Sequence, residues 1–232
     1  MPASTRRADF RRYAELVAER PDLFTSEPNG IHILLDEAEI AAAQRHIARR
    51  NRARGLPPAS ASVGVLAEDA YILALRDAIR FPDGSLGTHN RIVYAQRQGV
   101  GVLPVFQGTI VLIRIYRHSM RRWMLEIPRG SVEFGRSLEQ TVRSEIAEEI
   151  GGIVTAMTHI GHSVNDSSLC DGRLDLFHAE VSEIGTPQLA EGIADIIRVT
   201  PAEFDKLLLR GEMEDGHGIA AYTQARLRGL LP

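Results

Sequence analysis

The sequence predicts an α/β (α+β) protein with a strand-rich body, one central helix, two C-terminal helices and a helical N-terminal extension. Two amphipathic helical patterns occupy the first 54 residues. After a proline-containing stretch at 55–62, the pattern changes to short strands separated by turns. One sharply bounded helix interrupts these strands, with Ser137 before it and two glycines after it. These features divide the chain into an extension, 1–60, and a main domain, 61–232.

The extension is predicted to contain two helices. The first runs from Ala8 to Phe24, with its apolar residues on one stripe, and the second begins after the N-cap Asp36 and continues to Arg54. The last turns of the second helix are rich in arginine, which favours a helix C-terminus. This basic surface is interpreted as a solvated face; the alternatives are a dimer contact or an anion-binding arm.

The main domain is predicted to alternate strands and turns around the central helix, which runs from Ser137 to Ile150. Two helices close the chain, one opened by Pro201 and one from about Ile219 to Leu230. The predicted strands are Tyr71 to Phe81, Asn90 to Gln98, Val100 to Phe106, Thr109 to Tyr116, Trp123 to Ile127, Ile153 to His162, Arg173 to Val181 and Ile193 to Val199.

Composition excludes several classes of protein. The 232 residues are 44% hydrophobic and 25% charged, which is typical of globular domains and not of disordered or fibrous chains. The single cysteine, Cys170, excludes an intramolecular disulfide, and no apolar run is long enough for a membrane helix. The polar, arginine-rich start lacks the apolar core of a signal peptide, so we expect a cytoplasmic protein without a membrane partner.

The net charge of −3 is unevenly distributed along the chain. The first 129 residues are basic overall and the remainder is acidic, which suits anionic ligands in the first part and cations in the second. Lys206 is the only lysine. We attribute this preference for arginine to genome composition, and we expect no nucleic-acid partner.

Three carboxylates on the central helix give the clearest indication of chemical function in the sequence. Glu145, Glu148 and Glu149 are spaced i, i+3 and i+4, which places them on one helix face. Carboxylates so close together repel one another, and a hard cation such as Mg²⁺ would convert that repulsion into coordination. The alternative is an ordinary acidic helix face.

The stretch 130–152 resembles the box of the Nudix hydrolase family, G-x5-E-x7-R-E-U-x-E-E-x-G-U, where U is a bulky aliphatic residue. Arg136 stands where the box has Glu, and Ser144 stands where it has Arg. Gly152 replaces the final aliphatic residue. The matching residues are Gly130, Glu145, Ile146, Glu148, Glu149 and Gly151.

The resemblance extends to the ADP-ribose pyrophosphatase branch of that family and covers about two-thirds of the chain. The stretch from Leu125 to Gly130 is similar to the strand that leads into the box in that branch. The stretch from Leu112 to His118 is similar to a strand whose closing arginine contacts substrate. The stretch from Gly211 to Asp215 is similar to the C-terminal turn of that branch. The resemblance implies the Nudix fold, a mixed β-sheet sandwiched between helices. It also implies that Arg117, Glu126 and Arg129 bind substrate.

The resemblance further implies a metal-dependent reaction. Glu145, Glu148, Glu149 and the backbone carbonyl of Arg129 would hold Mg²⁺, with Mn²⁺ as a substitute. Glu149 and Glu145 would be catalytic, and Glu191 would be the general base. Glu183 and Glu149 remain alternatives for that base, because geometry decides such a role.

Two functions remain open at this stage. One is a Mg²⁺-dependent hydrolase that cleaves the diphosphate linkage of a nucleoside diphosphate derivative such as ADP-ribose or a nucleotide sugar. The other is a catalytically weak module that binds a nucleotide-like ligand or a protein, since two box positions are changed. We also expect a homodimer, in which the N-terminal extension packs across a two-fold interface.

Overall fold

The computed structural model describes residues 8–96, 98–164 and 166–231. The described chain forms two compact units. The first comprises 8–95 together with Asp166–Asp171, and the second comprises the rest. The domain boundary predicted after residue 60 therefore falls inside the first unit. Residues 1–7 of the predicted extension, residue 97 of a predicted strand and residue 232 lie outside the described residues.

The first unit packs two helices on a small antiparallel sheet. Strand β3 is its centre and pairs with each of the other three strands. Tyr13 and Leu16 of the first helix share one core with Leu75 and Val93 of the sheet. The elements are α1 (Phe10–Glu19), β1 (His32–Ile33), α2 (Glu37–Ala53), β2 (Gly64–Glu68), β3 (Ile72–Arg80) and β4 (Leu86–Tyr94).

Local chemistry fixes the helix ends in this unit. Asp36 caps α2 as predicted, since its carboxylate accepts the backbone N–H groups of Ala38 and Glu39. The single helix predicted from Ala8 to Phe24 is wrong: α1 ends at Glu19, and a short 3₁₀ turn, Pro21–Phe24, follows. Pro21 disfavours the helical conformation at the residue before it, so the helix cannot continue.

The second unit is built on a seven-stranded mixed sheet. Its path runs β11-β6-β5-β10-β9, with β7 added beside β6 and β8 beside β5. Only β5 and β10 pair in parallel. The elements are β5 (Gln98–Phe106), β6 (Thr109–Arg117), β7 (Arg122–Glu126), β8 (Arg129–Ser131), α3 (Leu138–Ile150), β9 (Val154–Val164), β10 (Arg173–Val181), β11 (Ile193–Val199), α4 (Pro201–Leu209) and α5 (Gly216–Leu227).

Helices cover both faces of this sheet. Side chains alternate along a strand, so Val111 and Ile113 of β6 join the core with α3, whereas Ile110 and Leu112 join the core with α4 and α5. The predicted mixed sheet sandwiched between helices is therefore confirmed. Among the described residues, no helix has the length and apolar character needed to cross a membrane.

Several predicted element boundaries are wrong. Strands β2 and β8 were not predicted, β4 begins at Leu86 instead of Asn90, and α5 begins at Gly216 instead of Ile219. The earlier start of α5 follows from Asp215, whose carboxylate accepts the backbone N–H groups of His217 and Gly218.

Candidate active site

Helix α3 holds the carboxylates in place because both of its ends are fixed. Ser137 and Gln140 form a capping box at the start, and Gly151 ends the helix in the left-handed conformation that glycine adopts without strain. Val142, Ile146 and Ile150 are fully buried against the sheet. The helix is therefore a rigid support for the acidic side chains beside that apolar face.

Glu149 is the most enclosed of the three carboxylates. It is only 7% exposed, and one carboxylate oxygen accepts the backbone N–H of Arg129 at 3.0 Å. Burial raises the pKa of Glu149 to about 8, because the Arg129 amide only partly offsets burial and the Glu145 charge raises the pKa further. A nearby cation would favour the ionised form of this group.

Glu145 lies against strand β8. Its carboxylate occupies the space that a Cβ atom at position 130 would need, so only glycine leaves room for it. Burial, helped by the nearby charges of Glu148 and Glu191, raises the pKa of Glu145 to about 7. Neither Glu145 nor Glu149 has an ion pair to a basic side chain within the described part of the chain.

The two changed box positions contact each other and the third carboxylate. Arg136 donates to the Ser144 hydroxyl at 3.2 Å, and that hydroxyl donates to Glu148 at 2.7 Å. Arg136 also pairs with Glu133 at 3.2 Å. Arg136 and Ser144 thus form one connected network that orients Glu148.

Glu126 joins the two arginines expected to bind substrate. The Glu126 side chain is 1% exposed and receives two hydrogen bonds from Arg117, at 2.9 and 2.6 Å. Arg129 donates two more to it, at 3.0 and 2.7 Å. Burial disfavours the ionised carboxylate, but the arginines outweigh burial and hold the pKa of Glu126 below its usual range. Two cations share one anion here, which leaves a net positive charge.

These arginines line a cleft of about 350 Å³. The cleft also contains Asp215 and His217 from the start of α5, two residues to which the sequence assigned no role. His217 is buried, its Nδ1 lies 2.6 Å from the Ser163 hydroxyl, and burial lowers its pKa. The only sequence signal for this wall was the turn before α5, which resembled the family's C-terminal turn.

The two loop glutamates considered as general base occupy different places. Glu191 ends a 3₁₀ turn before β11, and its charge contributes to the raised pKa of Glu145. The backbone oxygen of Glu183 lies near Gly152, just beyond the end of α3. Electrostatic proximity to the helix carboxylates therefore favours Glu191 over Glu183.

The donor chemistry of α3 suits a hard divalent cation. The carboxylate oxygens of Glu145, Glu148 and Glu149 are ligands that Mg²⁺ prefers. Glu149 is buried and Glu145 is partly buried, each without an ion-pair partner among the described residues. Within the described residues, however, no three acidic, histidine or cysteine side chains are gathered at one point. The three glutamates instead face Gly130, Ser144 and the Arg129 amide.

The fold and the three glutamates of α3 together indicate a class of protein, and comparison with known families identifies that class. The NUDIX domain family model matches residues 95–222, so the chain belongs to the NUDIX family. The chain is 26% identical over 167 residues to the ADP-ribose pyrophosphatase of Bacillus subtilis (strain 168), an alignment that covers 70% of this chain and 87% of that protein.

A solved structure supports the fold. The crystal structure of an ADP compounds hydrolase superposes with a TM-score of 0.62 at 19% identity, covering 73% of this chain and 93% of the other. The predicted resemblance to ADP-ribose pyrophosphatases is confirmed by the Bacillus subtilis relative.

Proposed function

We propose that the protein is a Mg²⁺-dependent hydrolase that cleaves the diphosphate linkage of a nucleoside diphosphate derivative, such as ADP-ribose or a nucleotide sugar. Family membership and the similarity to an ADP-ribose pyrophosphatase support a hydrolase of this type. The observation that carries the proposal is a pair of neighbouring carboxylates, the buried Glu149 and the partly buried Glu145, without an ion-pair partner among the described residues and close to an arginine-lined cleft.

The metal would be held by Glu145, Glu148, Glu149 and the backbone carbonyl of Arg129. A divalent ion bound there supplies Lewis acidity and lowers the pKa of a bound water. Mn²⁺ would substitute for Mg²⁺, since both accept carboxylate and water oxygens.

The arginines of the cleft would bind the anionic substrate. The planar guanidinium groups of Arg117 and Arg129 suit phosphate oxygens, and Glu126 fixes both of them from behind. Glu191 would take the proton of the attacking water, with Glu149 as the alternative base. One P–O bond of the diphosphate is broken, and the products are a nucleoside monophosphate and a phosphorylated partner.

The changed box positions favour a second function, a catalytically weak module that binds a nucleotide-like ligand or a protein. In the family box, Glu and Arg occupy the positions of Arg136 and Ser144. The replacement network still reaches Glu148, so we favour the active enzyme. Replacing such supporting groups typically reduces metal affinity or activity about 10–100-fold without abolishing it.

Metal-dependent turnover decides between the two functions. Release of nucleoside monophosphate would be measured with ADP-ribose and a panel of nucleotide sugars, with Mg²⁺, with Mn²⁺ and with neither.

Glu149→Gln should lower turnover by roughly a hundredfold or more and leave the fold intact, because it removes a metal ligand and keeps the side-chain shape. Glu139→Gln, an exposed position on the same helix, is the matched control. Normal turnover in Glu149→Gln would contradict the proposed metal site, and binding without turnover in the unmodified protein would favour the module.

A further inference from the structure

The first unit contains a polar cavity of about 480 Å³ that the proposed reaction does not use. It is formed by the C-terminal half of α2, strands β3 and β4, and the segment Asp166–Asp171. The helix and strands that line it precede residue 95, where the NUDIX match begins. Its main polar residues are Arg50, Arg76, His89, Asn90, Asp166 and Ser168.

Arg76 is a partly buried cation in this cavity with only neutral partners. Its Nε donates to the side-chain oxygen of Asn90 at 2.8 Å, and one Nη donates to the carbonyl of Ser62 at 3.2 Å. Burial lowers its pKa, and no carboxylate among the described residues lies close enough to offset that effect. By contrast, the similarly enclosed Arg91 and Arg117 each pair with a buried carboxylate.

A second arginine reaches the same cavity from the basic end of α2. Arg50 is exposed and has no hydrogen-bond or ion-pair partner in the described chain. Among the described lining residues, the only carboxylate is that of Asp166, which accepts the backbone N–H of Ser168 at 2.9 Å and its hydroxyl at 2.5 Å. The lining therefore carries two arginines against one carboxylate that is already hydrogen-bonded.

We propose that this cavity binds the phosphate group of a small phosphomonoester. A phosphate oxyanion would give Arg76 the anionic partner that it lacks, and Arg50 would provide a second guanidinium fork. The Thr88 hydroxyl and the side-chain NH2 of Asn90 would add neutral hydrogen-bond donors. A volume of about 480 Å³ is large enough to hold a small phosphate compound.

The proposal is tested by calorimetric titration of the 232-residue chain with inorganic phosphate and with ribose 5-phosphate, at a constant ionic strength set with chloride. Arg50→Ala and Arg76→Gln should each weaken binding by roughly tenfold or more, because each removes a charged hydrogen bond. Arg49→Ala, an exposed neighbour on α2 outside the cavity, should bind as the unmodified protein does. Asp166→Asn should bind severalfold more tightly, because it removes the carboxylate that repels the ligand.

The variants also separate this cavity from the proposed active-site cleft. Arg50→Ala should keep full diphosphate turnover, since Arg50 lies in the first unit. If Arg76→Gln fails to fold, phosphate binding by Arg50→Ala alone decides whether this cavity binds phosphate. Phosphate binding that survives both Arg50→Ala and Arg76→Gln, each tested in a chain that also carries Arg117→Ala to weaken binding at the active-site cleft, would overturn the proposal. Tight binding of a short single-stranded oligonucleotide, with neither small phosphate compound bound, would overturn it as well.

Discussion

At the scale of single residues, Gly130 determines where Glu145 sits. A Cβ atom at position 130 would overlap the Glu145 carboxylate, which is the far end of a flexible side chain. We therefore predict that Gly130→Ala folds normally but displaces Glu145. Metal-dependent turnover should fall by roughly 10–100-fold, because a shift of about 1 Å in a reacting group costs that much.

Comparison with the adjacent residue isolates this effect. Ser131→Ala lies in the same strand at an exposed position and should leave turnover unchanged. Thermal unfolding of both variants, followed by circular dichroism, checks that the fold is retained. If Gly130→Ala keeps full turnover, Glu145 is not needed in its observed position.

Arg136 and Ser144 allow a second test at this scale. Arg136→Glu alone should lower turnover, because it places a carboxylate beside Glu133 and removes the donor to Ser144. Adding Ser144→Arg restores the family's charge pair, so the double variant should match or exceed the original turnover. The cycle should show an interaction energy between the two sites of about 0.5–3 kcal/mol. A double variant that folds well yet loses turnover would assign Arg136 a role of its own.

At the scale of elements, one buried charge connects α1, β3 and β4 in the first unit. The Asp77 carboxylate is almost fully buried and accepts the Tyr13 hydroxyl at 2.6 Å and Nε of Arg91 at 2.6 Å. We predict that Arg91→Leu lowers the free energy of unfolding by about 3–5 kcal/mol, because it leaves a buried carboxylate without its cation. Tyr13→Phe should cost only about 1–2 kcal/mol, the value of one hydrogen bond.

Chemical denaturation of the full chain measures these differences. Arg12→Ala is the matched control, since Arg12 forms ion pairs with Glu19 and Glu68 at the surface, where solvent screens them, and it should change stability far less than Arg91→Leu does. Equal losses for Arg91→Leu and Arg12→Ala would show that Asp77 does not depend on its buried partner.

The same scale shows which elements a sequence can predict. Helix α3 was placed correctly because its cap, apolar stripe and terminal glycines agree. Strand β8 was missed because its three residues, Arg129–Ser131, are too few to show an alternating pattern. The start of β4 was misplaced because this strand is defined by nine residue pairs with β3. The polar run Thr88–Asn90 gives no sign of that pairing in the sequence.

Part of the candidate site could be predicted from the sequence for a related reason. The glutamate triplet follows from helical spacing, which depends on local geometry alone. The bridge of Glu126 to Arg117 and Arg129 depends on how β6, β7 and β8 lie side by side, and His217 enters the cleft from a helix far along the chain. Tertiary placement of this kind has no periodic signature in the sequence.

At the scale of the whole molecule, the homodimer stays a prediction, with a changed physical basis. The N-terminal extension was expected to pack across the two-fold interface, but Tyr13 and Leu16 of its helix α1 are buried within their own unit. Other apolar residues of the first unit remain on the surface. Tyr71 is 78% exposed, and Leu66 of the neighbouring strand β2 is 38% exposed. Covering such residues against a second copy would remove apolar surface from water.

We therefore predict that light scattering at micromolar protein in about 0.5 M salt reports a dimer, roughly twice the 25.6 kDa chain mass. An obligate interface of about 2,000 Å² or more relies on apolar contacts, which salt does not screen.

Tyr71→Asp should shift the protein towards monomer, because a charge in an apolar interface must be desolvated without a partner. Leu209→Asp, at a residue of the second unit that is 87% exposed, is the control and should leave the mass unchanged. A mass near 26 kDa for the unmodified chain would contradict the dimer, and a Tyr71→Asp variant that stays dimeric would move the interface elsewhere.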